Sequence, residues 1–372
     1  MISLSRLSLA LSALFLASVT ATASYAATPH RHHADAHTHV VAKKKKLSRK
    51  PRPARHATPA VAASKLADEK RRAHRTKRMK TRHTPHGAPP SRASQSANVA
   101  PVTDVAQYGN APHLLARCGF TPASRKRLFS RSVYIVDEQT HTPLYARNAD
   151  VVAPIASVSK LMTAVVWLDQ RQAPLAQHIG VTDADLDTLK FTHSRLTVGS
   201  SLTRADMLHI ALMSSENRAA AALSRDYPGG RPAFVAAMNA KAQQLGMPHT
   251  YFVNATGLSP QNVSTARELA RLVRAANGYP LIRRYSTDDE QRVTTGHGQL
   301  QYVSSNRLVR YGRVQASVQK TGFINESGHN MVMRVMAHGR RPVIVTMLNS
   351  ASAEGSRLDG ERIAHWVNCS LR

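Results

Sequence analysis

Ser157 and Lys160 stand three residues apart, and together they could perform nucleophilic chemistry. A serine hydroxyl is a weak nucleophile and needs an adjacent base. A lysine can be that base where burial or a neighbouring cation lowers its pKa. A helical stretch is predicted from Ser157 through Leu161, Met162, Val165 and Leu168, and one turn of it puts positions i and i+3 on the same face. The backbone N–H groups at the start of that helix would lie near Ser157, where an oxyanion forms. Ser317 and Lys320 repeat the spacing in a strand-like segment, where alternation sends the two side chains to opposite faces.

Two further elements carry polar chemistry. Ser215-Glu216-Asn217 falls at a break between the helical segments Thr203–Met213 and Arg218–Leu223, and such a turn can project a hydroxyl and an amide into a cleft. Ser96-Ala97-Asn98 and Ser304-Ser305-Asn306 share the pattern and are read as chance copies. Lys320-Thr321-Gly322 occurs once, on a strand. Gly322 allows close backbone approach, and Lys320 with Thr321 suits a carboxylate. Read singly, each element has an ordinary explanation: a chance match, a capped helix junction, a strand with a bulge.

Together they run in the order Ser-x-x-Lys, Ser-x-Asn, Lys-Thr-Gly, separated by 58 and 105 residues. That triplet belongs to penicillin-binding proteins and class A β-lactamases. The chain resembles the low-molecular-mass D-alanyl-D-alanine peptidases over roughly residues 130–350. Pro154 to Ala164, Leu212 to Ala220, and Phe252 to Leu258 (Phe-Val-Asn-Ala-Thr-Gly-Leu) carry the likeness alongside the triplet. The resemblance implies that Ser157 attacks a D-alanyl carbonyl with Lys160 as general base. Ser215 would relay a proton to the leaving amine, Asn217 would hold the substrate's peptide group, and Lys320 and Thr321 would bind the carboxylate beside the scissile bond. The N–H groups of Ser157 and Phe323 would form the oxyanion hole. No metal or organic cofactor is implied. The implied partners are peptidoglycan stem peptides, with β-lactams as covalent inhibitors.

Other members of the wider class set the alternatives. A class A β-lactamase needs a Glu that activates deacylating water, yet His249 to Gly257 contains no acidic residue, and capping accounts for Glu268. A non-catalytic wall-binding protein is opposed by three intact elements. Between cutting cross-links and trimming a terminal D-alanine, Ser214–Ala220 and Lys320–Gly328 resemble the endopeptidase subgroup more closely. Carboxypeptidases of the family often add a second all-β domain, and the 50 residues after Gly322 are taken up by a hairpin and a helix.

These residues need a frame. Ser132 to Asp137 and Leu144 to Arg147 read as a hairpin about Thr140 to Pro143. Thr203 with Asp206, and Thr265 with Glu268, resemble capping boxes, the second opening a helix through Leu269, Leu272, Val273 and Ala276 to Asn277-Gly278. Val314–Phe323, Asn330–Ala337 and Pro342–Asn349 are predicted strands, and Arg357–Asn368 a last helix. Strands grouped in this way predict an α+β fold of DD-peptidase/β-lactamase-like type, an antiparallel sheet of about five strands packed against helices.

Charge separates this domain from what precedes it. Residues 28–100 hold 19 Lys and Arg against Asp35, Asp68 and Glu69, which is +16 of the chain's formal +29. Arg6, the apolar run Leu7–Val19 and the small residues ending at Ala26 read as an export signal, with an uncleaved anchor as the alternative. We therefore expect a signal peptide over 1–26, a disordered Lys/Arg/His/Pro/Ala-rich segment over 27–112, and the catalytic domain over 113–372. Such a tail suits anionic cell-envelope polymers, weak metal binding by its histidines, or a solvated spacer. Nucleic acid is not expected in the exported compartment, the periplasm. Cys118 and Cys369 are the only cysteines, and either a disulfide between them or two buried thiols fits.

Overall fold

Alternation along Ser130–Asp137 gives the sheet two buried faces. Val133 and Ile135 join one apolar cluster, Tyr134 and Val136 another. The structure of the protein, a computed structural model, describes residues 111–170 and 174–371. The expected export signal and most of the basic segment lie outside the described residues.

Five antiparallel strands form the main sheet in the order Pro143–Arg147, Ser130–Asp137, Arg341–Ser350, Gly328–Ala337 and Ala316–Ile324. The expected α+β sheet is therefore found, with strand ends within a few residues of their predicted places. On one face the C-terminal helix Ala353–Ser370 packs Ile363, Trp366 and Val367 against Val133, Ile135, Val345 and Met333. On the other, Val318, Val332, Ile344 and Leu348 meet the helical half of the domain, including Leu161, Met162, Leu269 and Val273. Each such fully buried aliphatic side chain contributes about 1.5–3 kcal/mol. Two covered faces also explain why these strands read as nearly unbroken apolar runs.

Cys118 and Cys369 form a disulfide. It ties the turn Ala116–Cys118 to the end of the last helix, beside an edge-on contact of Phe120 with Trp366.

Local signals mostly behave as their chemistry requires. Thr203 Oγ1 accepts from Asp206 N, and Thr265 Oγ1 from Glu268 N, so both predicted caps exist. The Glu268 carboxylate does not turn back to its cap. It accepts from His249 N and Thr250 Oγ1 and pairs with the His249 ring, so it anchors the preceding loop. Ser157 does not start the long helix, which spans Ser159–Asp169. It lies in the 3₁₀ turn Ala156–Val158 that leads into it. The pairing with Lys160 survives because positions i and i+3 eclipse in a 3₁₀ turn. Helices Gly230–Gln244 and Pro280–Thr287 and the hairpin Glu290–Thr294/Gln299–Val303 were not anticipated. The hairpin is mostly polar and half-exposed, which leaves little apolar alternation to read.

Candidate active site

The turn that carries Ser157 is built by close backbone contacts. Ala156, buried and directly before Ser157, has φ of +49°, a conformation an alanine keeps only when its surroundings enforce it. Two glycines allow this. A Cβ on Gly257 would stand 2.0 Å from the Ala156 carbonyl oxygen, and one on Gly322 would stand 2.9 Å from Ser157 N. The edge strand Ala316–Ile324 therefore lies directly against the Ser157 turn, and Gly322 is what permits the approach.

Lys160 is completely buried beneath Ser157. Its Nζ lies 2.8 Å from Ser157 Oγ, 2.8 Å from Asn217 Oδ1 and 2.7 Å from the Thr256 carbonyl. Burial lowers its pKa to about 7, against a smaller opposing pull from the Glu216 carboxylate. Near neutrality a large fraction of this lysine is an unprotonated amine, and that form can take a proton. Thr256 belongs to the segment Phe252–Leu258, whose loop is pinned by Asn262. The Asn262 Oδ1 accepts from Val253 N and Asn254 N.

Ser215 occupies a left-handed conformation, φ +67°, at the turn between helices Arg204–Met213 and Asn217–Asp226. This turn aims its neighbours in different directions. Ser215 and Asn217 line the cavity with Ser157. Glu216 instead accepts from Ser194 Oγ at 2.7 Å. Asn217 Nδ2 donates to Thr192 Oγ1, so both ends of its amide are held.

The cavity, about 330 Å³, is lined by Ser157, Ser215, Asn217, Thr321, Gly322 and Phe323 among others. Six of the eight residues expected from sequence thus line it, and Lys160 and Lys320 lie buried behind its walls. Lys320 Nζ donates to the Thr321 carbonyl at 2.8 Å. Burial, and then the Lys160 amine, hold its pKa well below the usual lysine range. Phe323 stacks on His329 at 4.3 Å at the rim.

Other lining residues were missed. Ser304-Ser305-Asn306, set aside as a chance copy, supplies Ser305, whose hydroxyl is 2.7 Å from Thr321 Oγ1, and Asn306. Arg307 adds positive charge to the wall, and Arg357 joins it while paired with Glu354 and Glu361. Thr192 comes from a loop that the Asp187 carboxylate organises through the N–H groups of Leu189, Lys190 and Thr192. Only position in the fold unites these residues, and no local motif marks them. No group of three or more His, Cys, Asp or Glu side chains converges among the described residues. The arrangement, a serine against a buried amine beside a polar, cationic cleft, suits acyl transfer from a substrate bearing a carboxylate.

Comparison with known proteins agrees with this chemistry. Residues 120–352 match the D-alanyl-D-alanine carboxypeptidase family of peptidases. A D-alanyl-D-alanine endopeptidase of Pseudomonas aeruginosa is 44% identical over 245 residues, 65% of this chain and 78% of that protein. One from Escherichia coli is 42% identical over 260 residues, 69% of this chain and 83% of that protein. The crystal structure of the Streptomyces K15 DD-transpeptidase superposes with a TM-score of 0.60 at 26% identity, covering 65% of this chain and 98% of that one.

Proposed function

Because the chain belongs to the D-alanyl-D-alanine carboxypeptidase family, we propose that it is a serine peptidase that cuts D-alanyl cross-links between peptidoglycan stem peptides. The observation that carries this is the Lys160 amine lying 2.8 Å from the Ser157 hydroxyl at the floor of the cavity. The choice of endopeptidase is supported by the two relatives above 40% identity. Removal of a terminal D-alanine is the second reading, favoured by the description of the family, and would use the same site.

In this mechanism the neutral Lys160 amine removes the Ser157 proton as Oγ bonds to the D-alanyl carbonyl carbon. The carbonyl electrons move onto an oxyanion facing the N–H groups of Ser157 and Phe323. Collapse breaks the C–N bond, and Lys160 returns its proton through Ser215 to the leaving amine. Water then cleaves the acyl-enzyme, giving a carboxylate and free Ser157. Asn217 holds the substrate's peptide group, and Lys320 with Thr321 binds the carboxylate beside the scissile bond. A carboxylate there would raise the Lys320 pKa again, because it offsets the charge that burial penalises.

Intact-mass spectrometry with benzylpenicillin tests the nucleophile. One covalent adduct is expected on the wild type and none on Ser157→Ala, and an adduct on both would remove Ser157 from its role.

We propose export to the periplasm through residues 1–26, with the following basic segment holding anionic cell-envelope polymers by charge. Among the described residues no helix is long and apolar enough to cross a membrane.

A further inference from the structure

A second cavity, about 180 Å³, shares Arg307 and Arg357 with the wall of the first. Tyr311, Arg313, Glu354 and Glu361 line the rest of it. Arg357 is held in place by those two carboxylates, with its Nε 2.9 Å from Glu354 Oε2. Arg307 and Arg313 enter no ion pair among the described residues. The cavity therefore sets three guanidinium groups against two carboxylates, a net charge of +1, with Arg307 and Arg313 outside any ion pair.

Its position relative to the reaction is fixed by Thr321. Thr321 Oγ1 contacts Ser305, and Arg307 follows two residues later. The second cavity thus adjoins the proposed carboxylate hook through Arg307. A terminal D-alanine ends at that hook. The leaving residue of a cross-link does not, since its side chain continues into a second stem peptide with free carboxylates of its own.

We propose that the cavity bounded by Arg307, Arg313 and Arg357 is the subsite for this second, anionic peptide, and that it favours cross-linked over terminal D-alanyl substrates. The proposal rests on the endopeptidase reading. Guanidinium groups suit it because they pair with carboxylates through two parallel hydrogen bonds. Arg313 and Tyr311 are exposed, so they are open to a partner and can be replaced without disturbing the core.

The test compares wild type, Arg313→Ala and Arg313→Lys on three reactants: a cross-linked muropeptide dimer, an uncross-linked pentapeptide stem and benzylpenicillin. Arg313→Ala should lower kcat/KM for the dimer about tenfold, mainly through KM. The pentapeptide and penicillin rates should stay within about twofold of wild type, and Arg313→Lys should recover part of the loss. Unchanged dimer cleavage in Arg313→Ala would overturn the subsite, as would an equal fall on all three reactants. A wild type that is acylated by penicillin but leaves dimers intact would instead remove the endopeptidase reading, and the subsite with it.

Discussion

Lys160 Nζ lies 2.8 Å from Ser157 Oγ, and its burial brings the amine's pKa to about 7. The base is the neutral form, so acylation should rise with pH through about 7 and level off above it. Below that midpoint the rate should fall about tenfold per pH unit, as the neutral fraction does. Lys160→Ala should cost about 10²–10⁴-fold in penicillin acylation at pH 8. A flat profile between pH 5 and 9, measured by stopped flow, would contradict the assignment.

Glu216 tunes that midpoint. Its negative charge favours protonated Lys160, so it opposes the effect of burial. Glu216→Gln removes the charge, lowers the Lys160 pKa further, and should move the rising limb to lower pH. A limb that stays in place, or moves to higher pH, would show that the carboxylate does not act on the amine.

Gly257 holds the Ser157 turn in shape. Alanine there would adopt φ of +80° and place its Cβ 2.0 Å from the Ala156 carbonyl oxygen. The combined cost should be roughly 2–4 kcal/mol, with acylation lost as the Ser157 turn shifts. Gly296 has the same φ and nothing within 4 Å, so Gly296→Ala isolates the backbone strain from the collision. Equal melting temperatures for the two variants would mean that the contact at Ala156 is unimportant.

The triplet, the main sheet and the two helix caps were legible because each depends on local spacing. Ser157 with Lys160 needs one turn, and Val133 to Val136 needs only a short run of β-forming residues. What the sequence hid depends on tertiary placement. Ser305 carries no mark that separates it from Ser96, and it enters the site only because its segment reaches Thr321. Thr256 contributes a backbone carbonyl, which any residue could supply. Glu268 looked explained by its cap, while its carboxylate was committed 19 residues away to His249. The disulfide was one of two open readings, since no spacing rule places Cys118 against Cys369.

That disulfide should matter to stability and not to chemistry. Arg357 lines the active-site cavity, and Cys369 lies 12 residues further along the same helix, about 18 Å away. Replacing both cysteines by serine should cost about 2–5 kcal/mol in denaturant unfolding and leave the penicillin acylation rate unchanged. A large loss of acylation in a folded variant would show that the far end of the helix governs the site.

Among the described residues no acidic side chain lines the cavity that holds Ser157, and Glu268 is bound to His249 and Thr250. Nothing there resembles the carboxylate that class A β-lactamases use to activate water. A penicillin adduct should therefore persist, and penicillin should inhibit. Turnover of benzylpenicillin faster than about one per second, followed by absorbance, would place the protein among the β-lactamases instead.

The most direct measurement is mass spectrometry of muropeptides after incubation with protein lacking its first 26 residues, with Ser157→Ala in parallel. Cross-linked dimers should yield monomers with the wild type and stay intact with the variant. Release of a terminal D-alanine alone, with dimers uncut, would contradict the endopeptidase and leave a carboxypeptidase. Dimer cleavage by both proteins would show that the Ser157 hydroxyl activated by Lys160 does not perform the reaction.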